Sequence, residues 1–387
     1  MKIVIASESY LPTISGVSVF ARYLALGMQK RGHEVHVICP STKMKSLIEM
    51  DGDVTVHRIR SRKNPFRSNH RNTIFSYRII RKLLREIHPD VIHLQDPLGT
   101  CVATLRMAKK LDIPVVMTNH FAFDYILSYL PLLKPVHPQV AKIIEKYLVN
   151  IYNRCDYITF PSATIRNKFN HPKLTTPAIV ISNGVNLEQF FPSFNFAEIK
   201  KQYHIPDKQI VLHVGRLDQD KSSEMVIETF IKLRQKHDIF MVVCGEGNRK
   251  DELIKRIQEA GESKNIAFIG FINHQTELPQ FYQMSSVFVT GSNIETQGIV
   301  ALEAMASELP LVVPNAGALP ELVQNGVNGY IFKPGDVDDM AEKIEQILAN
   351  KKIAKEMGVR SLEMVEEHEI EKSYDNFESI YNKVTNK

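Results

Sequence analysis

The sequence predicts an α/β protein made of two doubly wound halves, and three observations carry that prediction. Short apolar runs alternate with amphipathic stretches along almost the whole chain. The apolar runs are four to eight residues long, the pattern of parallel strands covered on both faces by crossover helices. The series is interrupted once, near Asn183-Gly184-Val185-Asn186, and then starts again. A chain of 387 residues also exceeds what one hydrophobic core usually serves, which favours two domains.

The elements follow in order. Lys2–Ser7 reads as a buried strand, followed by Gly16 in a loop and an amphipathic helix from Val17 to Lys30, with Gly32 as its C-terminal stop. Val35–Cys39, Asp90–Leu94, Pro114–Thr118, Asp156–Phe160 and Ala178–Ile181 continue the strands of a first doubly wound domain. The Asn-Gly pair at 183–184 is a turn signal, the stretch 187–208 is polar without clear strand character, and a linker is expected over 184–208. Ile210–Val214, Phe240–Val243, Ile266–Ile269, Val287–Thr290 and Leu311–Val313 are the strands of the second half, with helices over 222–236, 249–260, 298–307 and 337–349 between and after them. The resulting division is 1–184, 185–365 and a charged helical tail, 366–387, expected to pack back on the first domain.

Composition narrows the function. Apolar residues make up 44% and charged residues 24%, an ordinary globular profile, and no window is long and apolar enough to cross a bilayer. The first apolar run is too short for a secretory signal, so a cytoplasmic protein is expected. Cys39, Cys101, Cys155 and Cys244 are widely spaced and form no C-x-x-C pair, which argues against disulfides and zinc. The net charge of +5 is uneven: residues 57–88 hold ten Lys/Arg against one acid, Glu86. A local block of that kind implies an anionic partner.

In open α/β sheets ligands bind beyond the C-terminal ends of the strands. There the second half offers Gly215-Arg216 and, five residues later, Lys221. Alone they could be solvated surface cations; together they suit a diphosphate. After the strand Val287–Thr290, a polar loop, Gly291 to Gly298, opens the helix from Ile299 to Ser307. A helix N-terminus presents free N–H groups to phosphate. Glu295 precedes the helix, and Glu303 lies inside it between Leu302 and Ala304. A solvated role for Glu303 fits that apolar helix poorly. Eight residues at helical rise would separate the two acids by about 12 Å, the order of the span from a hexose to a ribose, and carboxylates accept hydroxyl hydrogen bonds. Gly245-Glu246-Gly247 has no third glycine in register and fails as a dinucleotide fingerprint.

Gly215-Arg216 with Lys221, the E-x7-E pair Glu295–Glu303 ending in Leu302-Glu303-Ala304-Met305-Ala306, Gly16, and the Asn183–Asn186 hinge resemble the retaining glycosyltransferases of family 4 over nearly the whole chain. The resemblance implies the GT-B fold, two Rossmann-like domains facing across a cleft. It implies a nucleotide sugar held by Gly16, Gly215, Arg216, Lys221, Gly270, Phe271, Glu295, Thr296, Gln297, Gly298, Ile299 and Glu303. Arg216 and Lys221 would take the diphosphate, Glu303 the ribose, Glu295 the transferred sugar, and Gly270-Phe271 the base. His120, in Thr118-Asn119-His120, resembles the family histidine that faces the donor sugar; with Arg216, Lys221 and Glu295 it would form the catalytic set. The resemblance also implies retention without a carboxylate nucleophile, since none is evident near His120. Neither cofactor nor metal is expected: the D-x-D strings at Asp51–Asp53, Asp218–Asp220 and Asp336–Asp338 are unrelated in placement.

For the acceptor, the wording Glu295-Thr296-Gln297-Gly298 looks like the diacylglycerol glucosyltransferases of the family. Residues 57–88 and 121–147 mix basic with apolar and aromatic side chains, as segments on anionic membranes do. A lipid acceptor, UDP-glucose as donor and a peripheral location on the inner membrane face are therefore expected. The alternatives are a soluble family 4 transferase with a sugar, inositol or other small polar acceptor and a GDP-mannose or UDP-sugar donor, a silent sugar-nucleotide-binding subunit, and a GT-B epimerase. No nucleic-acid motif surrounds the basic block, and no nucleic-acid partner is expected.

Overall fold

The computed structural model describes residues 1–13, 15–63, 71–74, 76–121, 137–191 and 196–386. The chain divides into two compact units, 1–183 with 373–387, and 184–372. The parts of the basic and aromatic stretches at 64–70, 75 and 122–136, with Phe66, Arg67, Phe75 and Lys134, lie outside the described residues.

The first unit is built on a sheet of eight strands: β1 (Lys2–Ala6), β2 (Glu34–Pro40), β3 (Leu47–Asp51), β4 (Val54–Ile59), β7 (Val91–Leu94), β8 (Val115–Thr118), β9 (Tyr157–Phe160) and β10 (Ala178–Val180). The short pair β5 (Ser61–Lys63) and β6 (Arg71–Thr73) forms a separate ribbon. The order is β10-β9-β8-β7-β1-β2-β4-β3, parallel except for β3. The central strands are apolar because helices cover both faces: all four residues of β7 and of β8 are buried. From β1 the chain first goes to β2 on one flank, then returns to β7 on the other. The sheet therefore has its switch point between β1 and β7.

The second unit repeats the plan in a wholly parallel sheet of six strands: β11 (Gln209–Val214), β12 (Ile239–Cys244), β13 (Ile266–Gly270), β14 (Val287–Val289), β15 (Leu311–Pro314) and β16 (Gly329–Phe332). Their order is β13-β12-β11-β14-β15-β16. Here the switch point lies between β11 and β14.

Two expectations change. Gly16 is not in a loop but is the first residue of the helix Gly16–Lys30; the hydroxyls of Ser15 and Ser18 satisfy the free N–H groups reciprocally and so start the helix early. Residues 187–208 are not a linker: they form the short helices Leu187–Phe190 and Ala197–Gln202, and Phe190, Ile199 and Ile205 are buried in the second unit's core. The tail helix, Ile370–Thr385, has its first turn in the second unit and the rest in the first. There Phe377 and Tyr381 are fully buried, and the Tyr381 hydroxyl lies 2.6 Å from His93 Nδ1.

Candidate active site

At the end of β11 the chain is held by the neighbouring strand's loop. Gly215 N–H donates to the Cys244 carbonyl, Leu217 N–H to Glu246, and Arg249 N–H back to Leu217, at 2.9–3.0 Å. The loops lie so close that a Cβ at Gly245 would stand 1.8 Å from the Gly215 carbonyl oxygen, and one at Gly247 2.3 Å from the Leu217 backbone. The Gly-Glu-Gly triplet is thus a packing device that fixes the segment carrying Arg216. The guanidinium is oriented by two carboxylates, Asp218 and the buried Asp220, the latter at 2.8 Å. Lys221 ends the 3-10 turn Gln219–Lys221 and donates to Glu295 Oε1 at 2.5 Å. Burial pushes the Glu295 carboxyl up, but the Lys221 ammonium and the nearby Arg216 outweigh it and hold the group below the ordinary glutamate range.

Beyond β14 the loop Thr290–Gly298 leads into the helix Ile299–Ala306. Its N-cap, Gly298, sits in the left-handed region with φ 94°, and neither a capping side chain nor an acid in the first turn competes for its N–H groups. Gln297 is buried; Thr296 and Ile299 are half-buried. The helix begins after Glu295, so the helical-rise estimate of the Glu295–Glu303 separation does not apply: four residues of the interval are loop. Glu303 is 2% exposed, and both its oxygens are engaged: Oε1 lies 2.8 Å from His274 Nε2, and Oε2 accepts from the Tyr282 hydroxyl at 2.9 Å. Gly270 closes β13, and the Phe271 ring beyond it is 60% exposed. Arg216, Lys221, Glu295 and the helix start thus gather around the β11/β14 switch point.

His120 belongs to the first unit, just past β8. Its Nε2 lies 3.1 Å from Gln95 Oε1, and its ring packs on Phe20 with centroids 4.9 Å apart. Burial pushes its pKa down to about 3, so the imidazole is neutral at physiological pH. Gln95 is followed directly by Asp96, which accepts from the backbone N–H of Glu8 at 3.0 Å, a pairing nothing in the sequence signals. His274, Tyr282, Asp218 and Asp220 as partners of the named acids and cations were equally hidden in the sequence. Only the position of His274, four residues past the end of β13, hinted at a strand-end role.

The D-x-D carboxylates have protein partners. Asp51 pairs with Arg22 and Asp53 accepts from Gln29; Asp218 and Asp220 hold Arg216; Asp336 caps a helix and Asp338 meets Lys232. Among the described residues, no group of three or more His, Cys, Asp or Glu is placed to hold a metal ion.

Residues 14–189 match the family model described as Glycosyltransferase Family 4, and residues 195–364 the one described as Glycosyl transferases group 1. The alpha-monoglucosyldiacylglycerol synthase of Acholeplasma laidlawii is 31% identical over 346 residues, covering 87% of this chain and 86% of that protein. The chain belongs to glycosyltransferase family 4. Another alpha-monoglucosyldiacylglycerol synthase, from Streptococcus pneumoniae, is 26% identical over 90% of this chain and 79% of its own length. The solved structure of Anabaena HepE in complex with UDP and glucose shares the fold, with a TM-score of 0.77 over 99% of this chain and all of that one at 19% identity. The fold of this family 4 glycosyltransferase is therefore GT-B, two Rossmann-like domains.

Proposed function

We propose that this glycosyltransferase moves glucose from UDP-glucose to the hydroxyl of diacylglycerol at an anionic membrane surface, retaining the anomeric configuration and needing no metal. The observation that carries the transfer is the convergence of Arg216, Lys221, an uncapped helix N-terminus and Glu295 on one switch point. Arg216 and Lys221 hold the diphosphate; one of the three Lys221 donors is on Glu295, leaving two for phosphate oxygens. The backbone at Gly215 and from Thr296 to Ile299 completes the phosphate cradle, Glu303 takes the ribose, Glu295 the glucose, and Gly270 with Phe271 the base. Gly16 and His120 are the first unit's share, and a neutral His120 positions the sugar without donating a proton.

As the bond to the diphosphate breaks, negative charge develops where the cations and helix N–H groups already point. Such preorganised stabilisation is the main catalytic term. The acceptor hydroxyl attacks the face the diphosphate leaves, and the departing phosphate oxygen takes its proton. Engagement of the D-x-D carboxylates within the protein supports a reaction without metal.

For the acceptor, support comes from the two diacylglycerol-modifying relatives and from the first unit's surface. The helix Ser76–Ile87 buries Ile80, Leu84 and Ile87 and exposes Arg78, Arg81, Lys82 and Arg85. On the helix His137–Tyr152, Ile143 is 70% exposed and flanked by exposed Lys142 and Lys146. No helix of the described residues is long and apolar enough to cross a membrane. Such basic, partly apolar faces bind anionic lipid surfaces without spanning them.

The test is a donor panel read by nucleotide release, with and without dioleoylglycerol in phosphatidylglycerol vesicles, in EDTA and in Mg²⁺. UDP release that depends on diacylglycerol, persists in EDTA and yields an α-linked product is expected. Release indifferent to diacylglycerol sinks the acceptor; loss in EDTA restored by Mg²⁺ sinks the metal-free reading. Flotation with the same vesicles should weaken as salt rises.

A further inference from the structure

The first unit has a switch point of its own, and its chemistry differs from the one just described. Glu8 follows β1, Gln95 and Asp96 follow β7, and Asn119 and His120 follow β8, on three adjacent strands. The group is tied together by Glu8 N–H to Asp96 Oδ2, Gln95 N–H to the Ala6 carbonyl at 2.9 Å, and His120 to Gln95. Glu8 Oε1 accepts from Thr100 N–H at the start of the helix Gly99–Lys109, whose N-cap Leu98 offers no side-chain bond. Gly99 makes this possible: its φ is +31°, and a Cβ there would stand 2.5 Å from Glu8 Oε1.

Two side chains in this group leave a donor unused. Gln95 and Asn119 are 0% exposed, and neither Gln95 Nε2 nor Asn119 Nδ2 has a hydrogen-bond partner. Orphaned buried donors are costly and need an explanation. Among the described residues no lysine or arginine pairs with Glu8. The groups acting on it are Asp96 and, from the flanking elements, the thiols of Cys39 on β2 and Cys101 on the helix, with Arg58 of β4 bonded to Cys39 beyond. Both thiols stay protonated, since burial pushes Cys39 up to about 12 and Cys101 well above its ordinary value.

We infer that Glu8, with the amides of Gln95 and Asn119, forms a subsite for the uncharged oxygens of the acceptor and positions the attacking hydroxyl. The ligand class follows from the chemistry. Two free amide donors and a carboxyl suit hydroxyl, ether or ester oxygens, whereas an anionic group would face the Asp96 carboxyl beside Glu8. Burial, reinforced by Asp96, pushes the Glu8 pKa up to about 8, so at neutral pH the group can both donate and accept, as a hydroxyl requires. Ionisation above that value removes the donor. The inference rests on transfer to a hydroxyl acceptor as proposed above, not on that acceptor being diacylglycerol.

The test compares Glu8→Ala and Glu8→Gln with the wild type, using dioleoylglycerol in phosphatidylglycerol vesicles and, in parallel, glycerol, glucose and inositol as soluble acceptors. Glu8→Ala should raise the acceptor KM about tenfold or more, the order expected for a lost buried hydrogen bond, with the Kd for UDP-glucose, measured by calorimetry, unchanged within about twofold. Glu8→Gln, which keeps the Thr100 bond and mimics the neutral carboxyl, should restore the acceptor KM. Acceptor kcat/KM should fall in the wild type as pH rises through about 8 and stay level in Glu8→Gln. An acceptor KM within twofold of wild type in Glu8→Ala, a UDP-glucose Kd that rises in step, or a fall near pH 8 that survives in Glu8→Gln overturns the inference. Should Glu8→Ala fail to fold, the pH profile of Glu8→Gln decides alone. Wild-type activity on a soluble acceptor but not on dioleoylglycerol would remove the proposed lipid acceptor, while Glu8 would still be tested on the acceptor that works.

Discussion

The two units place the same topological feature, a crevice where the chain switches flanks of a central strand, in opposite chemical surroundings. At β11/β14 the loops carry Arg216, Lys221 and an uncapped helix start, with acids that orient the cations. At β1/β7 they carry Glu8, Asp96 and the unsatisfied amide of Gln95, with that of Asn119 beside them after β8, and the start of the nearest helix is closed by Glu8. The fold supplies the crevice; the loop residues decide whether it attracts phosphate or neutral oxygen. That difference is what a transferase needs: one substrate carries its charge in a leaving group, and the other must arrive uncharged.

The comparison breaks most easily at Lys221. Lys221→Ala should cost about 3 kcal/mol of barrier or more, a loss of over a hundredfold in kcat, because a phosphate donor disappears and Glu295 is left buried without its cation. A turnover number within twofold of wild type would show that positive charge at β11/β14 does not serve the leaving group. Glu303→Gln should act next, raising the KM for the nucleotide sugar by about tenfold to a hundredfold, with a smaller change in kcat. An unchanged donor KM would remove the ribose role and leave Glu303 as a partner for His274 and Tyr282 alone. Gly247→Ala sharpens the picture without touching the site, since its methyl would collide with the Leu217 backbone. Loosening of the Arg216 loop should cost about 1–3 kcal/mol of stability, read by urea unfolding, and weaken UDP binding. Unaltered stability with weakened binding would contradict the packing role.

The smallest effect separates the units by pH. His57 and His93 of the first unit are buried and His120 is half-buried, with pKa values pushed down to about 4, 3 and 3 by desolvation; His213 of the second is at about 4, and His368 is lowered. Each is neutral in the fold, so its stabilisation is complete above the unfolded value near 6.5 and is lost as pH falls from there towards the folded value, while the unfolded chain takes up protons. Glu8 acts in the other direction: its raised pKa withdraws stability as pH rises from the ordinary glutamate value through about 8. Hydrogen exchange on the intact chain should show the first unit's strands losing protection at pH 5 sooner than the second's. Equal loss in both units would refute this.

How much of this could be read from the sequence depended on burial. Strands such as β12, Ile-Phe-Met-Val-Val-Cys and buried throughout, appear as unbroken apolar runs and were legible to within a residue or two. The edge strand β3, Leu-Ile-Glu-Met-Asp, is largely exposed and carries no such run; β16 begins on a glycine and is only four residues long. The segment 187–208 deceived because Phe190, Ile199 and Ile205 are widely spaced and exposed polar residues such as Glu198, Lys201 and Gln202 lie between them. Glu303 could be picked out because a charge in an apolar helix demands an explanation. Its partners could not, since Tyr282 and His274 lie 21 and 29 residues away and meet it only through the sheet. Glu8 was invisible for the same reason: nothing in Ser7-Glu8-Ser9 signals that Asp96 and Gly99 lie beside it.

The discontinuity of the first unit bears on how the molecule is made. Its core is unfinished until residues 373–387 emerge, because Phe377 and Tyr381 fill the space beside His93. A ribosome releasing the chain from its N-terminus therefore delivers the whole second unit before the first can close. Cutting at Asn183 would not yield an independent half but an open sheet lacking one of its covering helices, so the two lobes must be expressed as a single polypeptide or supplied with the last helix in trans.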